Sequence, residues 1–296
     1  MFESLSSPNI HTPQNLAEYA NTITHYPQSS LWAFGSSIMD SADFYPNKNA
    51  NVEIIYIGQI DELYKFQRND RAVEFGAMVN LNEILSSGKS ILPPILLETL
   101  KNIACYSVRN RISLGGAMAN KRFVSSILGT LVILDSQVEI RYLKKKRLHY
   151  HFFPISKLTE EGQLTLQPTS MISRVRIVIN NYNYQYYRII DNPMLEKETC
   201  VSVAFIGNIE QITINSARVA ITYPDKGFLV GRELDACFNN LQLPLEPQLI
   251  IETVNKVMLQ VNSTFQPSPI QQERTKKLLL DMINNMNYTV LNANHE

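Results

Sequence analysis

The chain has 296 residues, 45% of them hydrophobic, and its 27 Lys+Arg balance 27 Asp+Glu. That length exceeds one ordinary domain and suffices for two cores, while the charge balance leaves no global field to draw in nucleic acid or an anionic membrane. Cys105, Cys200 and Cys237 lie far apart with no C-x-x-C pair, which excludes a disulfide framework and an Fe-S or zinc site built from this chain.

Residues 12–25 have helical periodicity, with Pro13 near a first-turn position and Leu16, Tyr19, Ala20 and Ile23 on one side. Residues 30–34 are a short apolar strand feeding a loop at Gly35. Residues 52–57 read as a strand, 61–66 as a short turn or helix, 72–77 as a strand and 81–87 as a helix. Helical spacing returns over 92–104, behind Pro93 and Pro94. The pair Gly115-Gly116 then stands before an apolar helix at 124–134. Strands at 137–143 and 148–153 flank Lys144-Lys145-Lys146-Arg147, read as a solvated hairpin end.

Alternating segments continue at 175–179 and 184–188, and Asp191-Asn192-Pro193 breaks the pattern. A boundary is expected near residue 190. Strands follow at 199–206, 209–214 and 216–222, then helices at 232–240, 248–260 and 269–285. The predicted class is α+β, with domains at 1–190 and 191–296. Tyr182, Tyr184 and Tyr186 fall on one strand face, expected to be covered by the second domain. His149 and His151 also share a face and read as a structural pair, since no H-E-x-x-H motif occurs.

No amino-terminal segment joins a basic start to an apolar core, and no run approaches the roughly 20 apolar residues that cross a bilayer. The expected location is the cytoplasm. No G-x-S-x-G or other nucleophile motif is present, so no catalytic side chain is expected.

The glycine pair is conspicuous in a chain with only eleven glycines. Such a pair lets backbone amides approach an anion, and it also serves as a plain tight connection. Its surroundings, Arg109-Asn110-Arg111-Ile112-Ser113-Leu114-Gly115-Gly116-Ala117-Met118-Ala119-Asn120, resemble the R-N-x-G-T-x-G-G-N-L-A-x segment of the FAD-binding medium subunits of molybdenum hydroxylases, the xanthine dehydrogenase and carbon monoxide dehydrogenase family. Trp32-Ala33-Phe34-Gly35-Ser36-Ser37-Ile38 lies where that family has A-G-G-T-D-L. Residues 74–84 resemble its I-G-A-x-x-T-x-x-E-L, and 201–204 and 263–280 resemble its carboxy-terminal domain.

The resemblance implies a two-lobed FAD-binding domain of the PCMH/vanillyl-alcohol-oxidase-like type, with lobes at about 1–58 and 59–190, followed by a smaller domain with an antiparallel sheet and helices. It implies FAD as cofactor, held by Ala33, Phe34, Gly35, Ser36, Ser37, Ile38, Asn80, Ile112, Ser113, Gly115, Gly116, Asn120, Ser126 and Arg188, with the amides of the Gly35 loop and of the glycine pair on the diphosphate. It implies a molybdopterin-binding large subunit and a [2Fe-2S] small subunit as partners, electron relay through FAD, and an acceptor such as NAD.

Several positions depart from the family pattern. Phe34 replaces the first glycine of A-G-G-T-D-L, where its Cβ and ring are expected to obstruct the ligand, and Ser37 replaces the acid. Arg111 and Ala117 replace a glycine and an asparagine. Arg122-Phe123-Val124-Ser125-Ser126 stands for D-P-A-S-D, and Arg188 for a lysine. Two further readings therefore stay open: a non-enzymatic scaffold that keeps the shape without FAD, and a flavin-dependent oxidoreductase working alone.

Overall fold

The computed structural model describes residues 8–37, 53–120, 124–160, 162–192 and 196–293. At the amino terminus, β1 (Asn9–His11), α1 (Leu16–His25), β2 (Ser30–Trp32) and β3 (Glu53–Tyr56) make a parallel sheet of order β1-β3-β2. Asn15 begins α1 by accepting the amide of Glu18, and the helix buries Tyr19 and Ile23 against Ile55, Ile57 and Leu63. β1 is absent from the sequence reading: three residues, two of them exposed, acquire strand geometry only by pairing with β3.

The second layer begins with β4 (Phe66–Arg68) and β5 (Ala72–Gly76), then runs through five helices: α2 (Leu81–Gly88), α3 (Pro94–Lys101), α4 (Tyr106–Arg109), α5 (Leu114–Met118) and α6 (Ser126–Ile133). The helix expected over 92–104 is thus shorter, because Asn102 closes α3 and Ala104 takes φ +56°. Next come β6 (Gln137–Lys144), β7 (Arg147–Pro154), a small hairpin of β8 (Thr159–Glu160) and β9 (Gln163–Leu164), and β10 (Met171–Val178). The five-stranded antiparallel sheet has the order β4-β5-β10-β6-β7. Every residue of α6 is buried, so its apolar run has no solvent face to mark.

The last sheet, of order β11-β12-β13-β14, contains β11 (Tyr184–Ile190), β12 (Val201–Glu210), β13 (Thr213–Tyr223) and β14 (Gly227–Leu229). It therefore starts at Tyr184, ahead of the boundary expected near 190. The strand expected over 209–214 is the turn between β12 and β13, centred on Gln211 at φ +54°. Helices α7 (Arg232–Ala236), α8 (Pro247–Phe265) and α9 (Pro269–Ala293) complete the chain.

Side-chain alternation sends this sheet into two cores. Val201, Val203 and Phe205, with Tyr184 and Tyr186, join α8 and α9; Ala204, Ile206, Ala220 and Tyr187 join α3 and α6. Each fully buried Val, Ile or Phe contributes about 1.5–3 kcal/mol. Gly129 lets α6 lie close on β13, since a Cβ there would come 3.0 Å from the Ala220 Cβ. α9 covers Tyr184 and Tyr186, which donate to Asn285 at 2.8 Å and to Asp281 at 2.6 Å, whereas Tyr182, expected on the same face, precedes β11 and packs against the core of α3 and α6. The mixture of helices, parallel strands and antiparallel sheets is an α+β fold.

Among the described residues, no helix is long and apolar enough to cross a membrane, and no group of three or more His, Cys, Asp or Glu is placed to hold a metal ion.

Candidate functional site: two facing loops

The strand end after β5 fixes one wall of the site. Leu114 N donates to Val79 O at 3.0 Å, Gly115 N to Ala77 O at 2.8 Å, and Leu81 N to Ile112 O at 3.1 Å, while Asn80 and Ser113 form an isolated antiparallel bridge. These bonds stitch the start of α5 to the 77–81 segment. Gly115 is needed for packing: a Cβ there would lie 2.8 Å from the Ala77 Cβ and 3.2 Å from its carbonyl oxygen.

The amides of the glycine pair are consequently not available as expected. Ala77 takes that of Gly115, and the Ser113 hydroxyl, as the cap of α5, accepts that of Gly116 at 3.2 Å. The pair is the first turn of a short helix whose opening donors the protein itself satisfies. Gly116 still has a second property, because it is exposed between buried neighbours and offers its bare Cα to the opposite loop.

Arg109 and Asn110 hold this wall in position. The Arg109 guanidinium donates to Lys101 O at 2.7 Å, to Ala104 O at 2.6 Å and to Asn82 Oδ1 at 3.0 Å; Asn82 in turn donates to Asn110 Oδ1 at 2.9 Å. One side chain thereby closes the carbonyl end of α3 against α2.

The opposite wall is the loop after β2. Ile57 N donates to Trp32 O at 2.9 Å, which anchors the loop's start. Gly35 takes φ +73°, the left-handed region that glycine enters without a steric penalty. Phe34 is not among the described residues with positive φ, and its half-buried side chain packs, with Ala33 and Leu31, against the cluster of Tyr19, Ile55, Leu63 and Met78.

The two walls meet. A Cβ on Gly116 would lie 3.9 Å from the Ala33 Cβ, and the Ser37 hydroxyl donates to Asn120 Oδ1 at 3.0 Å. Among the described residues, no protein acceptor takes the amides of Gly35 or Ser36. Residues 33–37 and 113–120 contain no charged side chain.

Ala33, Phe34, Gly35, Ser36, Ser37, Ser113, Gly115, Gly116 and Asn120 therefore belong to the facing loops. Asn80 and Ile112 lie behind them: the Asn80 side chain accepts from Glu83 N in a capping box, and Ile112 is buried. Two candidates go elsewhere. Ser126 is buried and accepts a 2.9 Å bond from the Tyr187 hydroxyl, and Arg188 is exposed on β11 with its guanidinium 5.6 Å from the Tyr186 ring centre. Ile38 lies outside the described residues, as do Arg122 and Phe123. Sequence reading missed Ala77, whose small side chain and carbonyl receive Gly115; the signal was a small residue next to Gly76 in the segment matched to the family.

Comparison with known proteins follows this geometry. Residues 3–177 match the family described as the FAD binding domain in molybdopterin dehydrogenase. The chain belongs to that family. FAD is the family's cofactor, and the amides of Gly35 and Ser36, which have no acceptor among the described residues, lie on the loop whose Ala33 comes beside Gly116; such backbone suits a diphosphate, which needs fixed N–H groups and close approach. The fold of the whole chain agrees. A chain of the carbon monoxide dehydrogenase from Hydrogenophaga pseudoflava superposes with TM-score 0.75 at 15% identity, covering 97% of this chain and 99% of that one. A chain of quinoline 2-oxidoreductase from Pseudomonas putida 86 superposes with TM-score 0.73 at 15% identity, covering 97% and 100%. The probable aldehyde oxidase 3 of Oryza sativa subsp. japonica is 32% identical over 108 residues, 34% of this chain. That stretch is only 8% of the rice protein.

Proposed function

We propose that this chain is the FAD-binding, electron-transferring subunit of a molybdenum hydroxylase, working beside a molybdopterin-binding large subunit and a [2Fe-2S] small subunit. One observation carries the reading: among the described residues no acceptor takes the amides of Gly35 and Ser36, on the loop whose Ala33 lies beside Gly116. When bound, FAD supplies the redox chemistry, taking electrons from the iron-sulfur partner and passing them to an acceptor such as NAD.

The chain's own residues bind and orient. The Gly35-Ser36 backbone would hold the diphosphate, its amides presented by a turn that the positive φ of Gly35 sets before binding. Gly116 keeps the facing wall open, while Ser113 and Ala77 hold that wall by satisfying the helix amides. Ser37 and Asn120 clasp the two loops at their far end. None of these groups moves a proton; they form a rigid, uncharged cradle.

The scaffold reading has its own observation: the glycine pair's amides are spent inside the protein, and Ser37 stands where the family has an acid. Absorbance of the purified protein decides between them. Visible flavin bands, released on denaturation or restored by added FAD, support the electron-transfer subunit. A colourless protein that takes up no added FAD supports the scaffold.

A further inference from the structure

The tip of the β6–β7 hairpin combines charge, exposure and an unfavourable backbone. Lys144 pairs with Arg147 across the hairpin, leaving Lys145 and Lys146 as a two-residue turn. Both central lysines have positive φ, +51° and +62°. That is type I′ geometry, which suits the twist of the strands and is preferred by Asn-Gly because a Cβ is disfavoured there. Lysines hold the turn despite a conformational cost that Asn-Gly would avoid.

All four basic residues are exposed, and among the described residues none of them forms an ion pair. The tip is also firmly seated, because Leu143 and Leu148, which flank it, pack on the cluster that holds Tyr19, Ile55, Met78 and Met171.

β7 is in addition an edge of the five-stranded sheet. Protein edges are commonly blunted by charges placed along the strand. Here the formal charges stop at Arg147; the strand continues as Leu148-His149-Tyr150-His151-Phe152-Phe153, with Tyr150 63% exposed. Among the described residues nothing pairs with the outer ladder of β7, next to a concentrated positive charge.

We propose that the β6–β7 hairpin docks an extended acidic segment of a partner protein, which adds to β7 as a sixth strand while its carboxylates meet Lys144, Lys145, Lys146 and Arg147. Main-chain bonds supply affinity in such strand addition, and the charges select the partner. The hairpin shares none of its residues with the facing loops, and its test does not depend on FAD.

The probe is a short labelled peptide of alternating Glu and Val, titrated into the full-length protein and followed by fluorescence anisotropy. Binding at low salt that fades as salt screens the charges is the expected result. The double substitution Lys145→Asn/Lys146→Gly installs the preferred turn, so the variant keeps its melting temperature; it should bind the peptide about tenfold more weakly. Methylating alternate peptide nitrogens should abolish binding by removing ladder donors. The proposal is overturned by equal binding to the double variant, by undiminished binding of the methylated peptide or of a Lys-Val control, or by no binding at low salt. Capture of single-stranded DNA in place of the peptide would overturn it too.

Discussion

The Ser37 hydroxyl donates to Asn120 Oδ1 at 3.0 Å, joining positions 83 residues apart at the mouth of the gap between the facing loops. A net side-chain hydrogen bond contributes about 0.5–1.5 kcal/mol. Ser37→Ala should therefore weaken FAD binding by roughly two- to tenfold. Asn120→Ala should do the same, and the double variant should be no worse than either single one. Flavin fluorescence titration reads all three, and additive losses would show that the two side chains act apart.

The two adjacent glycines should fail in different ways. Gly115→Ala places a Cβ 2.8 Å from the Ala77 Cβ, and overpacking of this kind costs about 1–3 kcal/mol. Gly116→Ala places a Cβ 2.7 Å from the Ser113 hydroxyl, whose displacement weakens the α5 cap by about 1 kcal/mol, and it narrows the space toward Ala33. Denaturant unfolding should register the first substitution more strongly, and FAD titration should register the second. Equal stabilities for the two variants would contradict this division.

Acid stability should depend on Glu74. Burial alone would raise its carboxyl, but the bonds from Arg176 at 2.6 Å and Arg174 at 3.0 Å outweigh burial and hold it below its ordinary value. A carboxyl depressed by folding stabilises the protein above its unfolded pKa and loses that contribution as pH falls through the folded value. Glu74→Gln should thus cost about 1–3 kcal/mol at neutral pH. The penalty should shrink as pH drops below the ordinary carboxylate range. Unfolding midpoints of both proteins across pH measure it, and a pH-independent gap would refute the assignment.

Tyr187 links β11 to α6 through its 2.9 Å bond to Ser126. Burial pushes the tyrosine hydroxyl's pKa up, so it remains a donor through the ordinary pH range. Tyr187→Phe should cost about 1 kcal/mol without changing FAD affinity, because Ser126 faces the core. A large loss of FAD binding would return Ser126 to the cofactor site.

Legibility followed locality. α1, α2, α8 and α9 were readable because each repeats apolar positions over at least two turns, and α6 because it is a continuous apolar run. β1 was not, since three residues, two of them exposed, are too few to show a period and owe their form to β3. Position in the site was less legible than membership of the family. Motif spacing located Gly35 and Gly115-Gly116, yet it could not tell that Ala77 and Ser113 would consume the second set of amides. It likewise drew in Ser126 and Arg188, whose surroundings are set by packing of distant strands.

Because β12 and β13 serve two cores at once, the amino-terminal half has no finished surface of its own. Cutting the chain at the Asp191 linker would strip β12 and β13 from α6 and bare Ile127 and Leu131, leaving a product prone to clump. Any rearrangement of this gene that transplants the flavin half must carry the last hundred or so residues along as part of the same inheritance.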